Sequence, residues 1–402
     1  MKLILITDSF PPVRNSGAIQ MRDLSRELAK QGHEVLVLTP SSEIDSSYRL
    51  SECAEKYEKG KVQVLHLKAL QNRDIGYLRR AISEFLMPFI MLFRLRNSHF
   101  YNDRFDGMVT YAPSIFFGPL ASWLKKRNKC KNYLIIRDIF PQWAVDVGIL
   151  SGSGLPFYLL KKVEYYLYST ADIIGVQTPA NLNYFNSGAV NNLTTVEVLQ
   201  NWLAEGGNRP CTIVVQKTIL AGRKIFVYAG NIGDAQGLSI FIDLADKLRE
   251  NDTVGFLFVG RGESKFSLKQ EAIARKLDNI LFFDEINPDE IPALYQQCSV
   301  GIISLDLRHK THNIPGKFLS YMQAGLPVLA VINKNNDLEK IITNNQVGCV
   351  TTSHSIDVLL DFVKELTEDS VDYNIMGTRC KNLYEKMFTP SVAAKQVSNG
   401  LV

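Results

Sequence analysis

Lys224-Ile225-Phe226-Val227-Tyr228-Ala229-Gly230-Asn231-Ile232-Gly233 is the stretch on which the fold turns. Its first six residues, mostly apolar and β-branched or aromatic, read as a buried strand, and the glycines that follow end it. A helical pattern runs over 238–249, and a second apolar strand at 254–259 ends in Gly260-Arg261-Gly262. Strand, glycine loop, helix and strand in this order make an α/β unit with a parallel sheet. Further strands are expected at 280–283, 299–305 and 327–332, with a helix at 316–324. Asn287-Pro288-Asp289-Glu290 opens another helix, where Asn caps and Pro takes the first turn.

The first half uses the same grammar. Strands are read at 2–7, 35–39, 108–111, 133–137 and 172–177, and 195–199 closes the half. A helix at 19–30 places Met21, Leu24 and Leu28 on one face and ends at Gly32, and another is read at 155–169. Between the halves, Asn201-Trp202-Leu203-Ala204-Glu205-Gly206-Gly207-Asn208-Arg209-Pro210 reads as a linker. Two α/β halves joined in this way predict a central cleft that takes the ligand.

Composition narrows the function. The 402 residues carry 45 basic and 41 acidic side chains, a net charge of +4, with 46% hydrophobic residues. Such a chain buries a core, and its small basic excess does not make a nucleic-acid binder. The six cysteines (Cys53, Cys130, Cys211, Cys298, Cys349 and Cys380) lie far apart without ligand spacing, which argues against a zinc finger or a disulfide framework. The apolar start Leu3-Ile4-Leu5-Ile6 is too short for a signal segment, and the longest apolar run, Phe85 to Phe93, is half of a bilayer span. A cytoplasmic protein is expected, peripheral on the inner face of the cytoplasmic membrane. Arg79, Arg80, Arg94 and Arg96 flank residues 81–93, apolar but for Ser83 and Glu84, which read either as a headgroup-region helix or as a buried helix bent near Pro88.

Four stretches carry candidate chemistry. The loop from Asp8 to Gly17 leads into a helix start, where free amides and about half a positive charge meet an anion; it also reads as an ordinary connection. Gly230-Asn231-Ile232-Gly233 lets backbone approach a phosphate, but it is not Gly-x-Gly-x-x-Gly and lacks the acidic partner of a dinucleotide ribose. Arg261, flanked by glycines, can grip a diphosphate with two bonds or stand in solvent as a turn charge. Richest is the stretch from Arg308 to Val328, where two cations and two histidines precede Pro315-Gly316-Lys317 and the helix closes at Gly325-Leu326-Pro327. Lys317 and the amides of that first turn would hold an anion together, while His309 reads as a surface residue. P-loop, zinc-protease and nucleophile-elbow motifs are absent, and no Asp-x-Asp occurs. A bound diphosphate would then be neutralised by helix ends and cations.

Several of these stretches together resemble glycosyltransferase family 4 over about residues 1–385. They are Asp8-Ser9-Phe10-Pro11-Pro12 with Gly17, Gly32-His33-Glu34-Val35, Asn201-Trp202, the Gly230–Gly233 loop, and Pro315-Gly316-Lys317 with Gly325-Leu326-Pro327-Val328. Within that family the chain looks most like bacterial N-acetyl-L-fucosaminyltransferases of O-antigen assembly. The resemblance implies an α/β GT-B fold, two Rossmann-like domains with parallel sheets facing a central cleft. Residues 1–200 would form the acceptor-side domain, 201–222 the linker, 223–385 the nucleotide-sugar domain and 386–402 a helix crossing back. It also implies a retaining reaction with neither metal nor other cofactor.

By position, the resemblance puts Gly17 near the donor phosphates and Gly230, Asn231, Gly233 and Arg261 along the diphosphate. Glu285 and Ile286 would lie beside the base, and Asn313, Pro315, Gly316 and Lys317 would face the sugar and phosphates. Asp138 falls where many members place a catalytic-site His or acid, so Asp138, Lys317 and Arg261 form the candidate catalytic set. Members often carry a Glu-x7-Glu pair, whose second position, a ribose ligand, is Ser320 here and whose first falls near His312. The family's Arg and Lys after the glycine loop are replaced by Asp234 and Gln236, so phosphate charge would rest on Arg261, Lys265, Lys317 and Arg308.

The function so implied is transfer of a sugar from a UDP-linked donor to an undecaprenyl-diphosphate-linked saccharide in surface-polysaccharide synthesis. The transition state would be oxocarbenium-like, with the departing phosphate accepting the acceptor's proton. A UDP-N-acetylhexosamine 2-epimerase, needing no acceptor, is the enzyme alternative. A non-catalytic sugar-nucleotide-binding partner, motivated by Ser320, is the other. A nicotinamide oxidoreductase ranks last.

Overall fold

The computed structural model describes residues 1–13, 15–44, 46–52, 60–70, 76–112, 114–146, 148–186, 190, 193–207, 209–306 and 313–402. The chain divides into two units, Met1–Trp202 with Pro390–Val402, and Leu203–Thr389.

The first unit is built on eight strands: β1 (Lys2–Ile6), β2 (Glu34–Ser41), β3 (Tyr48–Glu52), β4 (Lys61–Lys68), β5 (Gly107–Tyr111), β6 (Lys131–Ile135), β7 (Ile173–Val176) and β8 (Thr195–Val198). Their order is β3-β4-β2-β1-β5-β6-β7-β8. All neighbours are parallel except β3, which runs antiparallel to β4 at the edge. Central strands buried on both faces need unbroken apolar sequence, which is why Leu3-Ile4-Leu5-Ile6 carries no polar residue. One face is covered by the helix Ser16–Lys30, through Met21, Leu24 and Leu28, and by the helix Pro390–Leu401, through Ala394, Val397 and Leu401. On the other face lie the helices Tyr77–Arg96, Gly118–Asn128 and Leu155–Ser169.

The stretch read either as a headgroup-region helix or as a buried one has one buried and one exposed side. Within the helix Tyr77–Arg96, Met87, Met91 and Leu95 are buried against the sheet, while Ile82, Phe85, Leu86, Phe89 and Phe93 are exposed. Among the described residues no helix is long and apolar enough to cross a membrane.

In the second unit, β9 (Lys224–Ala229), β10 (Val254–Val259), β11 (Ile280–Phe283), β12 (Val300–Ser304), β13 (Val328–Val331) and β14 (Gly348–Thr351) form a parallel sheet in the order β11-β10-β9-β12-β13-β14. The helix Gly316–Ala324 is fixed beneath β9 and β12 by Tyr321, whose buried hydroxyl meets the carbonyl oxygens of Val227 (3.1 Å) and Ile302 (3.2 Å). Gly301 makes room for that ring, since a Cβ there would lie 2.6 Å from it. Gly325, at φ +73°, ends the helix in the left-handed conformation glycine favours.

Among the described residues of 201–222, expected as a linker, the boundary between the units falls after Trp202, and several apolar side chains are buried. Trp202 is buried in the first unit, with Nε1 donating to the Gln20 carbonyl oxygen at 2.9 Å. Ile213, Val215 and Leu220 belong to the core of the second. Glycines and a proline suggested a tether, but the apolar residues among them find cores to bury in. At the other end, the helix Tyr373–Met387 stays with the second unit, and the chain returns to the first only from Pro390.

Candidate functional site

In the second unit the site begins where β9 ends. Tyr228 is buried, and its hydroxyl donates to the Asn231 carbonyl oxygen at 2.6 Å. Over its ring, 4.7 Å from the centroid, stands the ammonium of Lys317. Lys317 belongs to the first turn of the helix Gly316–Ala324, whose cap residue Pro315 supplies no side-chain bond to the amides. Gly230, at φ +145°, permits the approach, because a Cβ there would come within 2.8 Å of Lys317 Cε. A cation so placed beside uncapped helix amides is suited to a phosphate oxygen.

Burial lowers the Lys317 ammonium to about 8. An anion that needs the charged form is then held best below that pH. UDP affinity is expected to stay level up to about pH 8 and to fall above it, by no more than about tenfold per unit. Titration calorimetry through that range checks this, with Lys317→Arg keeping affinity level.

The glycine loops are less open than the sequence suggests. Gly230 N–H donates to the Val259 carbonyl oxygen at 2.9 Å and Ile232 N–H to that of Arg261 at 2.7 Å. Gly233 N–H donates to Gln236 Oε1 at 3.0 Å, which also receives Asn231 Nδ2 at 3.2 Å. A cradle made by these loop amides is therefore corrected: three of the four are already used, two of them holding the two loops together and the third bonding within its own segment. The reason is close packing, since Cβ atoms at Gly260 and Gly262 would lie 1.8 Å and 2.2 Å from the carbonyl oxygens of Gly230 and Ile232.

Lys265 is corrected likewise from phosphate cation to tie. Its ammonium donates to the carbonyl oxygens of Gly260 (2.8 Å) and Phe283 (2.7 Å) and to Asp284 Oδ1 (2.7 Å). All three donors are used, and the hydrogen bond from Lys265, with its charge, holds the Asp284 carboxyl below its ordinary range. Arg261 stands out into solvent with 80% of its side chain exposed, and its Nε lies 3.2 Å from Glu285 Oε2. Two residues expected on the diphosphate and beside the base thus meet, and Ile286 packs against the core behind them.

Ser320 donates to the Gly316 carbonyl oxygen at 3.3 Å, within its own helix. Asn313 is half-buried next to Ile314, which is fully in the core. Arg308, His309 and His312 lie outside the described residues.

The first unit gathers its candidates at the carboxyl ends of β1, β5 and β6, where ligands of parallel sheets sit. Asn15 caps the helix Ser16–Lys30, its Oδ1 accepting from Ala18 N–H at 2.7 Å. Gly17 lies under Tyr111, whose hydroxyl would be 2.7 Å from a Cβ there. Arg137 is buried, with Nη1 donating to the Leu199 carbonyl oxygen at 2.9 Å and its guanidinium 4.6 Å from the Trp202 ring centroid. Burial lowers it to about 10 and pushes Tyr111 up to about 12, while the charge of the exposed Asp138 acts on both. Tyr111 and Tyr228 were not among the expected site residues; each lies at or next to the last residue of a strand, and Tyr228 stands just before the Gly230–Gly233 loop. Among the described residues no three His, Cys, Asp or Glu side chains cluster to hold a metal.

Residues 212–383 match the family described as Glycosyl transferases group 1. That match lies within the second unit and spans less than half of the chain. Beyond it, the chain is similar to the Probable glycosyltransferase WbjE of Pseudomonas aeruginosa, 22% identical over 65% of this chain and 66% of that protein, just under two thirds of its length. It is also similar to WcaI of Escherichia coli (strain K12), whose name assigns it to colanic acid biosynthesis as a glycosyl transferase, at 23% identity over 81% of this chain and 82% of that one. A glycosyltransferase enzyme, of the hexosyl-transferring class, is thereby borne out.

The two-unit fold recurs in the solved structure of Anabaena Alr3699/HepE in complex with UDP. The TM-score is 0.67 at 13% identity, over 100% of this chain and 99% of that one. The expected GT-B fold stands, with two Rossmann-like parallel-sheet domains and one antiparallel edge strand.

Proposed function

We propose that this glycosyltransferase moves a sugar from a UDP-linked donor to an undecaprenyl-diphosphate-linked saccharide in bacterial surface-polysaccharide assembly, with retention and without metal. An N-acetylated deoxyhexose such as N-acetyl-L-fucosamine is the donor sugar this reading favours. The observation that carries it is the Lys317 ammonium, held over Tyr228 at an uncapped helix start. Lys317 and the first-turn amides would stabilise the departing diphosphate, with Arg261 at its outer side. Asp138, beside Tyr111 and Arg137, would position the acceptor hydroxyl. A relative named for colanic acid biosynthesis, and a neighbour solved with UDP, support this reading.

Calorimetry in EDTA tests it, with NAD as the comparison. Saturable binding of UDP but not NAD is expected; binding that needs added metal, or none, overturns the reading. Release of UDP only when acceptor is present separates the transferase from an epimerase.

The lipid-linked acceptor goes with attachment to the membrane surface through the exposed face of the helix Tyr77–Arg96. Phe85 and Phe89 lie on that face, and burying two such rings in an interface contributes several kcal/mol. The Phe85→Ser/Phe89→Ser double variant is expected to lose most flotation with vesicles and to keep its UDP affinity.

A further inference from the structure

At the amino ends of β6 and β7, the opposite end of the first sheet from Asp8, Gly17 and Asp138, lies a cavity of about 670 Å³. That is within the ~300–1,000 Å³ of ordinary ligand pockets. Four lysines line it, Lys125, Lys126, Lys129 and Lys131, against one carboxylate, Asp172.

Two of the four have work elsewhere. Lys125 Nζ donates to the Thr170 carbonyl oxygen at 3.1 Å and pairs with Asp172 at 2.8 Å, answering the carboxyl end of the helix Leu155–Ser169. Lys131 Nζ donates to the Val402 carbonyl oxygen at 2.6 Å. The side chains of Lys126 and Lys129 are exposed and make no hydrogen bond or ion pair with any described residue. The cavity therefore holds a positive charge that the fold does not use.

The surface beside it is apolar. Tyr166 lines the cavity and also belongs to a row along the helix Leu155–Ser169, with Leu155, Tyr158, Leu159 and Tyr165. Leu155, Tyr158 and Leu159 and, one turn beyond Lys162, Tyr165 and Tyr166 share one helix face, yet it points to solvent, from 72% exposure at Leu155 to 44% at Tyr166. A free phosphate would need only the lysines. A phosphoryl group attached to hydrocarbon would use both, with the tyrosines at the boundary their rings favour.

We propose that this lysine-lined cavity is a headgroup site, taking the phosphoryl group of an anionic phospholipid while the Leu155–Tyr166 row lies against the lipid surface. The inference rests on the membrane attachment proposed above and gives it a chemical selectivity. It names a site separate from the exposed face of Tyr77–Arg96.

Flotation with vesicles of phosphatidylcholine, and of phosphatidylcholine with an equal part of phosphatidylglycerol, tests it on the full chain. The Lys126→Glu/Lys129→Glu variant is expected to lose at least about tenfold in binding to the mixed vesicles. Lys247→Glu/Lys276→Glu, with the same net charge but its changes on the second unit, is expected to bind as the unaltered protein does. UDP affinity should be equal in all three. Unchanged binding by the first variant overturns the headgroup site and leaves membrane attachment standing, as does equal loss in both variants. No flotation of the unaltered protein overturns both. Inorganic phosphate that binds the unaltered protein and not the first variant, with vesicle binding equal, would make it a free-anion site and overturn the lipid assignment.

Discussion

Lys317→Ala is expected to lower turnover by about 10²–10³-fold, the usual loss when one group that stabilises a departing anion is removed. The melting temperature should hold or rise slightly. A lysine held at about 8 by burial, below its ordinary range, is one whose charging folding opposes at neutral pH. The sign follows from proton counts: between about pH 8 and the ordinary lysine value the unfolded chain binds the proton and the folded chain does not, so stability grows with pH there. At pH 7 the buried ammonium costs stability, and alanine removes that cost together with the charge. Steady-state kinetics and calorimetric melting measure the two sides. Turnover close to that of the unaltered protein would take Lys317 out of the mechanism, and a melting temperature many degrees lower would make it a structural residue. Lys317→Arg, still charged but too bulky for the space beside Gly230, should recover UDP binding more fully than turnover.

Gly260→Ala is the second large effect, and it acts through shape. At φ +155° the residue sits in backbone space that side chains avoid, and its Cβ would fall 1.8 Å from the Gly230 carbonyl oxygen. No rotamer relieves such a contact, because both partners are backbone. The two loops would have to part, breaking the Ile232–Arg261 and Gly230–Val259 bonds and moving Gly230 away from Lys317. A loss of about 3 kcal/mol or more is expected, from strain and from polar groups left unpaired. UDP binding should fall below detection even at temperatures where the variant is folded. A variant with native melting and native affinity would show that the loops tolerate separation. Gly316→Ala provides the contrast, since nothing lies within 4 Å of its Cβ.

Much of the architecture could be read before any coordinates. The helices Leu155–Ser169 and Gly316–Ala324 fall where expected because proline opens each near its first turn and, in the second, glycine closes it. Strands β9, β10 and β11 also keep their expected limits, since apolar runs that end at turn residues leave little freedom. Strands β3, β4 and β14 were not foreseen: β3 and β14 are short, half-solvated edge strands, and in β4 the apolar residues are interrupted by Gln63 and His66. In the site, the local motifs were legible and their use of hydrogen bonds was not. Lys265 looked like a phosphate ligand because its charge is visible in sequence, whereas the carbonyl oxygens of Gly260 and Phe283 that occupy it are not. The stack of Lys317 on Tyr228 joins residues from two distant motifs, so only the packing of the helix beneath β9 reveals it.

The helix Pro390–Leu401 bears on how this protein comes into being. Ala393, Ala394, Val397 and Leu401 complete a core begun by Leu3, Leu5 and Met21, and Gln396 bonds to Glu197 and to the Val198 carbonyl oxygen. Domains of a nascent chain generally mature in the order in which they are synthesised. Here the first sheet emerges early and waits, one face covered by Ser16–Lys30 but still lacking Pro390–Leu401, while the whole of Leu203–Thr389 is translated and acquires everything its own core needs. The downstream unit can therefore reach its native state before the upstream one. Ribosome-bound intermediates would carry an uncovered apolar surface for most of synthesis, and a chaperone that shields such surfaces has its window there.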